Sequence, residues 1–141
     1  MKVEREKVLA SSGSKDSESY ARLWWLFGKP RQELRPAIAG MARCIATVDT
    51  ARHRVFQFLQ TDIVCDDKVV IVALDDGYML GILQSSIHTV WALRAGGWLG
   101  VGNDPVYVKT KVFDPFPFPS PGELLKAQIR TIAEELDAFR K

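Results

Sequence analysis

Apolar and polar positions alternate with different periods along the chain, and these periods predict its strands. Residues 68–74 form a continuous β-branched run, which is typical of a central strand buried on both faces. Residues 43–47 and 54–59 predict two shorter strands, joined by a polar turn over residues 49–53. Residues 107–112 predict one more strand. We therefore expect a small mixed sheet.

The longest apolar segment predicts a helix. Asp75 or Asp76 is expected to cap it, and it runs to about residue 94, where Gly96-Gly97 stops it. It is apolar on nearly every side, so it is expected in the interior, packed with residues 69–74 in one core. Its buried face is predicted to consist of Leu80, Leu83, Ile87 and Trp91.

Two polar residues interrupt this helix. Ser85 is expected to act as a small residue that permits close packing. His88 lies among apolar neighbours, so we interpret it as a hydrogen-bonded core histidine, with a ligand role as the alternative.

The two ends of the chain also predict helices. Pro30 suits the first turn of a helix that runs to about Gly40, although Pro36 must shorten or bend it. Near the C-terminus, apolar residues repeat at alternating steps of four and three, which predicts an amphipathic helix that needs a partner surface. This seam consists of Leu125, Ile129, Ile132, Leu136 and Phe139.

Together these elements predict an α/β domain of the mixed α+β kind. A small mixed sheet packs on a buried central helix, and a C-terminal amphipathic helix follows. We expect residues 1–20 to be a flexible lead or linker, residues 21–120 to form the functional domain and residues 121–141 to form the last helix. A chain of 141 residues is long enough to bury one core of ordinary size.

Composition narrows the class of protein further. The longest nearly uncharged run, residues 77–93, is too short and too polar to span a bilayer, and the N-terminus lacks the apolar core of a signal peptide. Two cysteines without a secretory signal, Cys44 and Cys65, are expected to remain free thiols. These features predict a cytoplasmic protein without a membrane partner.

The net charge of +2 conceals an uneven distribution. Residues 21–60 carry seven Arg and Lys against two acidic residues, a balance of +5, whereas residues 61–85 carry a balance of −4. This asymmetry predicts one basic face and one acidic edge, and an Arg-rich face suits phosphates and guanine edges. The alternative is a solvated face that binds no partner.

Two motifs resemble a known family. Residues 83–91 read Leu-x-Ser-x-Ile-His-x-x-Trp, and residues 113–119, which follow Tyr107, read Phe-Asp-Pro-Phe-Pro-Phe-Pro. They resemble the target-recognition part of MmeI-like (type IIL) restriction–modification adenine-N6 DNA methyltransferases. Trp24-Trp25, Pro30-Arg31, Leu34-Arg35 and residues 52–56 agree with it, so the resemblance runs from about residue 22 to the C-terminus.

The resemblance implies a DNA target-recognition segment whose parent enzyme transfers a methyl group from S-adenosylmethionine to adenine N6. Its implied partners are double-stranded DNA and a methyltransferase catalytic domain or subunit. The three basic side chains of residues 52–54 are expected at an exposed hairpin tip. Side chains at such a tip have little structural role, which favours contact with nucleic acid. The candidate DNA-binding residues are Lys29, Arg31, Arg35, Arg43, Arg52, His53, Arg54, Lys109 and Lys111.

Catalytic and cofactor motifs of such enzymes are missing from the sequence. The amine-holding loop of adenine methyltransferases needs Pro-Pro, and no Pro-Pro dipeptide occurs; at the most similar place Phe116 replaces the second proline and is interpreted as a packing anchor. The glycine run at residues 96–102 follows a helix, the wrong context for a nucleotide loop. We therefore expect no catalysis, no cofactor and no metal site in this chain.

A different class of function remains open. The C-terminal seam and the tryptophans are also typical of a protein-interaction module that assembles with a catalytic subunit. Trp24-Trp25 in particular suit either base stacking or core packing. Salt-dependent DNA affinity separates the two functions, because phosphate contacts release counterions and an apolar docking face does not.

Overall fold

The computed structural model describes Arg22 and residues 33–99 and 104–141. The chain divides into two compact units, residues 1–36 and residues 37–141. At the division lies a short helix, α1 (Leu34–Ala37), which Gly40 follows in a left-handed conformation with φ of 81°. The described part of the helix predicted from Pro30 is therefore a single turn, and residues 30–32 lie outside the described residues.

An antiparallel sheet forms the centre of the second unit. Its strands are β1 (Arg43–Val48), β2 (Gln57–Gln60) and β3 (Val69–Val72), in the order β2-β1-β3. The central strand is β1, in which residues 44–47 are all buried. The prediction that residues 68–74 form the central strand is wrong: β3 is an edge strand of this sheet and mostly half-buried. β-Branched residues also suit an edge strand with one covered face, so composition did not distinguish the two positions.

Two helices replace the single long helix predicted after β3. Helix α2 (Gly77–Gln84) begins with the Asp76 carboxylate accepting the Tyr78 N–H at 2.9 Å, which confirms the predicted cap. Helix α3 (Ser86–Ala95) is capped by Ser85, whose extended backbone separates it from α2. The Ser85 hydroxyl oxygen accepts the His88 N–H at 3.2 Å, so Ser85 is a cap rather than a packing residue.

The break at Ser85 changes which side chains are buried. Leu80 and Leu83 are 1% and 0% exposed, as predicted, and they share one core with Ile45, Phe56 and other residues. Ile87 is 74% exposed, so its predicted place in the core is wrong. Because the helix is interrupted at Ser85, the positions buried in α3 no longer follow the helical period of α2.

A second, two-stranded sheet follows. It pairs β4 (Gly97–Trp98) with β5 (Pro105–Val106), and residues 107–112 do not form the predicted strand. Instead, α4 (Lys109–Val112) is a helical turn with the fully buried side chain of Val112, whose carbonyl oxygen accepts the Trp91 indole N–H at 2.9 Å. Tyr107, Val108 and Val112 suit a strand by residue type, but Val108 and Val112, four positions apart, also share one face of a helical turn.

Phe116 is the packing anchor that the sequence predicts. It is 7% exposed, and its ring packs edge to face on two others. The ring centres lie 4.7 Å apart for His88 and 5.0 Å apart for Phe118. The Pro-rich segment thus closes over α3 before the last helix begins.

The last helix, α5 (Glu123–Arg140), packs against α2. Gly81 permits the close approach, since a Cβ atom there would lie 2.6 Å from Cγ2 of Ile129. The buried residues of α5 are Ala133 and Asp137, while Leu125, Ile132 and Phe139 are exposed, so the predicted seam is rotated from the face that packs. The mixed α+β class with a C-terminal helix is confirmed, although both described sheets are antiparallel. Among the described helices, none has the length and apolar character to cross a membrane.

Candidate nucleic-acid interface

Residues 49–53 and β4 lie on opposite sides of β5. We call these three segments the loop edge. Thr50 bridges to Val106, and the Ala51 N–H donates to the Pro105 carbonyl at 3.3 Å. On the other side of β5, Trp98 is the register partner of Pro105. Backbone pairing therefore brings the polar turn after β1 next to the segment that follows α3.

Exposed basic and aromatic side chains occupy this edge. Arg52 and His53 are exposed, as predicted for the tip of the turn. Trp98 is 60% exposed and Leu99 is 58% exposed. Trp98 was not among the candidate residues predicted from the sequence. Its signal was a large aromatic residue directly after the helix-stopping glycines, in a segment interpreted only as a turn.

Arg54 differs from its neighbours, and its predicted exposure is wrong. It is 7% exposed, and its guanidinium donates to the carbonyl oxygens of Val48, Asp49 at 3.2 Å and Pro105 at 3.1 Å. Burial lowers the pKa of Arg54, and Tyr107 and Asp49 partly offset this effect. A guanidinium remains protonated in proteins, so a full positive charge is held among backbone carbonyls rather than offered to a partner.

A buried polar pair lies beneath this charge. The Nδ1 atom of His88 lies 2.9 Å from the Leu83 carbonyl oxygen, and Nε2 lies 3.2 Å from the Tyr107 hydroxyl. Because a carbonyl only accepts, Nδ1 carries the proton and the Tyr107 hydroxyl donates to Nε2. Burial lowers the pKa of His88 and raises the pKa of Tyr107. The interpretation of His88 as a hydrogen-bonded core histidine is confirmed.

Arg43 is committed to packing between elements. Its guanidinium forms an ion pair with Glu134 on α5 at 2.5 Å and lies 3.6 Å from the centre of the Phe58 ring. The hydrogen bond with Glu134 is the main reason why the pKa of Arg43 is raised. This side chain connects the central sheet to α5, whereas the sequence predicted that Arg43 contacts DNA.

The other candidate residues are distributed over the rest of the chain. Lys109 and Lys111 on α4 are exposed, and the ammonium of Lys109 forms an ion pair with Asp114 at 2.9 Å. Arg35 is exposed and belongs to the unit of residues 1–36. Lys29 and Arg31 lie outside the described residues, as do Trp24 and Trp25. The structure thus places the turn that carries Arg52 and His53 beside β5, which pairs on its other side with the strand that carries Trp98, and it holds Arg43 and Arg54 in contacts within the fold.

Reactive and metal-binding groups do not gather at this edge. Cys44 is buried, Cys65 is half-buried, and both are free thiols, as expected. Over residues 33–99 and 104–141, no group of His, Cys, Asp or Glu side chains is arranged to hold a metal ion. The loop edge therefore has the chemistry of a binding surface: positive charge, hydrogen-bond donors and one flat aromatic side chain.

The chain is similar to known target recognition domains in sequence and in fold. Residues 5–120 match the family model described as the MmeI target recognition domain. The fold is similar to a solved structure of the type IIL restriction–modification enzyme MmeI in complex with DNA, with a TM-score of 0.76 and 19% sequence identity. The match covers 92% of this chain and 17% of that one, so the chain corresponds to a small part of that enzyme's length. No curated protein matches the sequence.

Proposed function

The chain belongs to the family of MmeI target recognition domains, and from that premise we propose that it docks duplex DNA through the loop edge. In this role it is the recognition segment of an adenine-specific, S-adenosylmethionine-dependent DNA methyltransferase of a restriction–modification system. Its partners are double-stranded DNA and the catalytic domain or subunit of that enzyme, and it acts in the cytoplasm. The segment itself transfers no methyl group.

One observation carries the proposal. Within the described part of the chain, the side chains of Arg52 and His53 are exposed and have neither a hydrogen-bond nor an ion-pair partner. A free guanidinium presents paired N–H donors that match a phosphate or the O6 and N7 atoms of guanine. A tip of this kind, held on a sheet edge, is suited to contact the backbone or a groove of DNA.

Trp98 and the lysines of α4 extend the surface. The exposed indole of Trp98, on the strand that pairs with β5, offers a flat apolar face to a sugar or base. Lys111 adds positive charge on α4, which follows β5 in the chain, and Lys109, which is paired with Asp114, remains a candidate there. Arg35, with Lys29 and Arg31, remains a candidate for phosphate contacts from the first unit, whereas Arg43 and Arg54 are assigned to packing.

The test is a titration of fluorescent duplex DNA with the full chain over a range of salt concentrations. Each phosphate contact contributes roughly −0.9 to the slope of log affinity against log salt, so several contacts predict a steep negative slope. An affinity that does not change with salt, or no binding at low salt, would contradict the proposal. Calorimetry with S-adenosylmethionine is expected to show no specific binding, and detectable cofactor binding would contradict the non-catalytic role.

A second function is favoured by the outward face of α5. Four apolar side chains on this helix are strongly exposed, in marked contrast to the face that packs on α2. They are Leu124 at 77%, Leu125 at 50%, Ile132 at 65% and Phe139 at 89%. Exposed apolar surface of this kind marks protein interaction sites, and we propose that the catalytic part of the methyltransferase covers it.

This assembly role has its own test. The chain is mixed with a separately expressed methyltransferase domain of a type IIL enzyme, and complex formation is followed by sedimentation. Ile132→Asp is expected to abolish the complex, because it places a charge in the apolar face, and to leave the salt slope for DNA unchanged. Ala127→Asp, an exposed change at a smaller side chain, serves as the control for added charge on α5. Complex formation that survives Ile132→Asp would contradict the assembly role.

A further inference from the structure

We infer that Arg54 is a positioning residue: its buried guanidinium joins residues 48–49 to β5 and thereby fixes how Arg52 and Trp98 are presented together. This inference rests on the proposed binding of DNA by the loop edge. Arg54 makes no contact with DNA in this arrangement, because 7% exposure leaves its donors facing inward.

The hydrogen bonds of Arg54 connect segments that are distant in the chain. Its donors reach the carbonyl oxygens of Val48 and Asp49, where β1 passes into the loop, and the carbonyl oxygen of Pro105 in β5. Without Arg54, the Val48 carbonyl oxygen would lose its side-chain donor, while the Asp49 and Pro105 carbonyls would each keep only a backbone N–H, from Tyr107 and Ala51. Buried carbonyl groups without partners are costly, so the loop would have to shift to recruit water or other donors.

The same carbonyl of Pro105 also accepts from the turn itself. Ala51 donates its backbone N–H to this oxygen at 3.3 Å, beside the Arg54 bond at 3.1 Å. Pro105 in turn is the register partner of Trp98. The Pro105 carbonyl oxygen thus accepts from Ala51, which precedes Arg52, and from Arg54. The strand of Pro105, β5, pairs with β4, which carries Trp98.

The base of this arrangement is anchored in the core. The Cζ atom of Arg54 lies 5.2 Å from the centre of the Tyr107 ring, and the Tyr107 N–H donates to the Asp49 carbonyl at 2.7 Å. The Tyr107 hydroxyl is bonded to His88 on α3. The guanidinium therefore lies between the core and the polar turn. A lysine ammonium could not make the same set of contacts, because it is not planar and lacks the forked N–H donors of arginine.

A fixed turn has a direct consequence for binding. Ordering a loop at the moment of docking costs free energy, and a loop that is already held in place avoids that cost. Arg52 lies two residues before Arg54, so release of the guanidinium frees the segment that carries the phosphate contact. The expected result of losing Arg54 is weaker DNA binding through Arg52, although Arg54 touches no DNA.

The experiment compares Arg54→Met and Arg54→Lys with Arg130→Met in the full chain. Arg130 is a matched control, because the same change removes one positive charge and two hydrogen bonds to Asp76 on another face. Circular dichroism first establishes that each variant is folded at the measuring temperature, and Arg54→Lys keeps the charge should Arg54→Met fail to fold. Duplex affinity and its salt slope are then measured.

We expect the Arg54 variants to flatten the salt slope by about one unit, the share of one phosphate contact, and Arg130→Met to keep the parent slope. The decisive measurement is a double-mutant cycle with Arg52→Ala. If Arg54 acts through the turn, Arg52→Ala weakens binding in the parent and has little further effect in either Arg54 variant. If Arg54 only stabilises the fold, Arg52→Ala causes the same fold-loss in every background, which overturns the inference.

Failure of the inference and failure of the proposed function give different results. A parent chain that binds duplex DNA with a steep salt slope, but shows no coupling between Arg52 and Arg54, defeats the inference alone. A parent chain without salt-dependent DNA affinity defeats the proposed function and the inference with it.

Discussion

The Nε2 atom of His88 lies 3.2 Å from the hydroxyl oxygen of Tyr107, and both side chains are buried. This pair connects α3 to the segment after β5, and the other ring nitrogen of His88 is bonded to the C-terminal end of α2 at Leu83. The core of the second unit thus contains one neutral imidazole whose two nitrogens have different, fixed partners. The stability of the fold therefore depends on the protonation state of His88.

We expect the domain to lose stability as the pH falls below 6.5, the ordinary pKa of histidine. Burial, and to a smaller extent the charge of Arg54, lower the pKa of His88 in the folded state, so the unfolded chain binds the proton more readily. The contribution is complete above 6.5 and declines at lower pH, by at most about 1.4 kcal/mol per pH unit for one proton. Chemical denaturation across this range measures it.

The controls for this prediction use both histidines. His88→Gln removes the titrating group and is expected to flatten the decline, whereas His53→Gln, at an exposed position, is expected to preserve it. A decline of the same size in His88→Gln would assign the effect to other groups.

The two leucines of α2 are predicted to be more important to stability than the apolar face of α3. Leu83→Ala is expected to cost about 2–5 kcal/mol in the free energy of unfolding, because the side chain is 0% exposed and leaves a cavity. Ile87→Ala, at 74% exposure, is expected to change it by less than about 0.5 kcal/mol. Urea denaturation measures both. Equal losses would mean that Ile87 is covered in the folded protein.

Gly81→Ala is predicted to destabilise the domain although alanine favours helices. The added Cβ would lie 2.6 Å from Cγ2 of Ile129, a stiff β-branched side chain on α5. Overpacking of this kind costs about 1–3 kcal/mol, which exceeds the gain of roughly 1 kcal/mol in helix propensity. Thermal unfolding measures the change. Ile129→Ala in the same chain should relieve part of the penalty, and Gly97→Ala, whose nearest neighbour would lie at 3.9 Å, should be tolerated.

Arg52 and Trp98 are predicted to affect DNA binding in different ways. Arg52→Ala is expected to weaken binding and flatten the salt slope by about 0.9, since one phosphate contact is lost. Trp98→Ala is expected to weaken binding by a similar factor at every salt concentration, because an aromatic contact releases no counterion. Parallel salt titrations of the two variants separate these effects. The same change of slope in both variants would contradict the assignment of phosphate contact to Arg52.

A smaller loss of stability is predicted at the contact between the central sheet and α5. Arg43→Met removes a pair with Glu134 that is about one-third exposed and a stacking contact with Phe58, together worth on the order of 1–2 kcal/mol. Glu134→Gln in the Arg43→Met background should add little, because the pair is already broken. Additive losses in the double variant would show that the two side chains act independently.

Several local features followed from the sequence alone. The strand predicted at residues 43–47, the cap at Asp76, the buried Leu80 and Leu83, and the core role of Phe116 all depend on short-range pattern and residue type. The family was also evident from its motifs, in which Leu83, His88 and Phe116 are buried. These predictions succeeded where one neighbouring element was enough to decide the outcome.

Arg54 shows what only the tertiary structure decided. In the sequence it is the third residue of an exposed basic turn, and nothing local separates it from Arg52. Its burial depends on carbonyl oxygens of Val48, Asp49 and Pro105, and Pro105 is fifty-one positions away. A sequence pattern records which side chains are charged, but not where the distant acceptors for that charge will lie.

The orientation of α5 was likewise decided by residues that are distant in the sequence. Its period determined that the segment is an amphipathic helix, but Ala133 and Asp137, rather than Ile132 or Phe139, face the domain. Glycines on α2 admit the close approach, and Arg43 pairs with Glu134 on α5. Periodicity thus determines that a helix has an apolar face, whereas the shape and charge of the partner surface decide which face is buried.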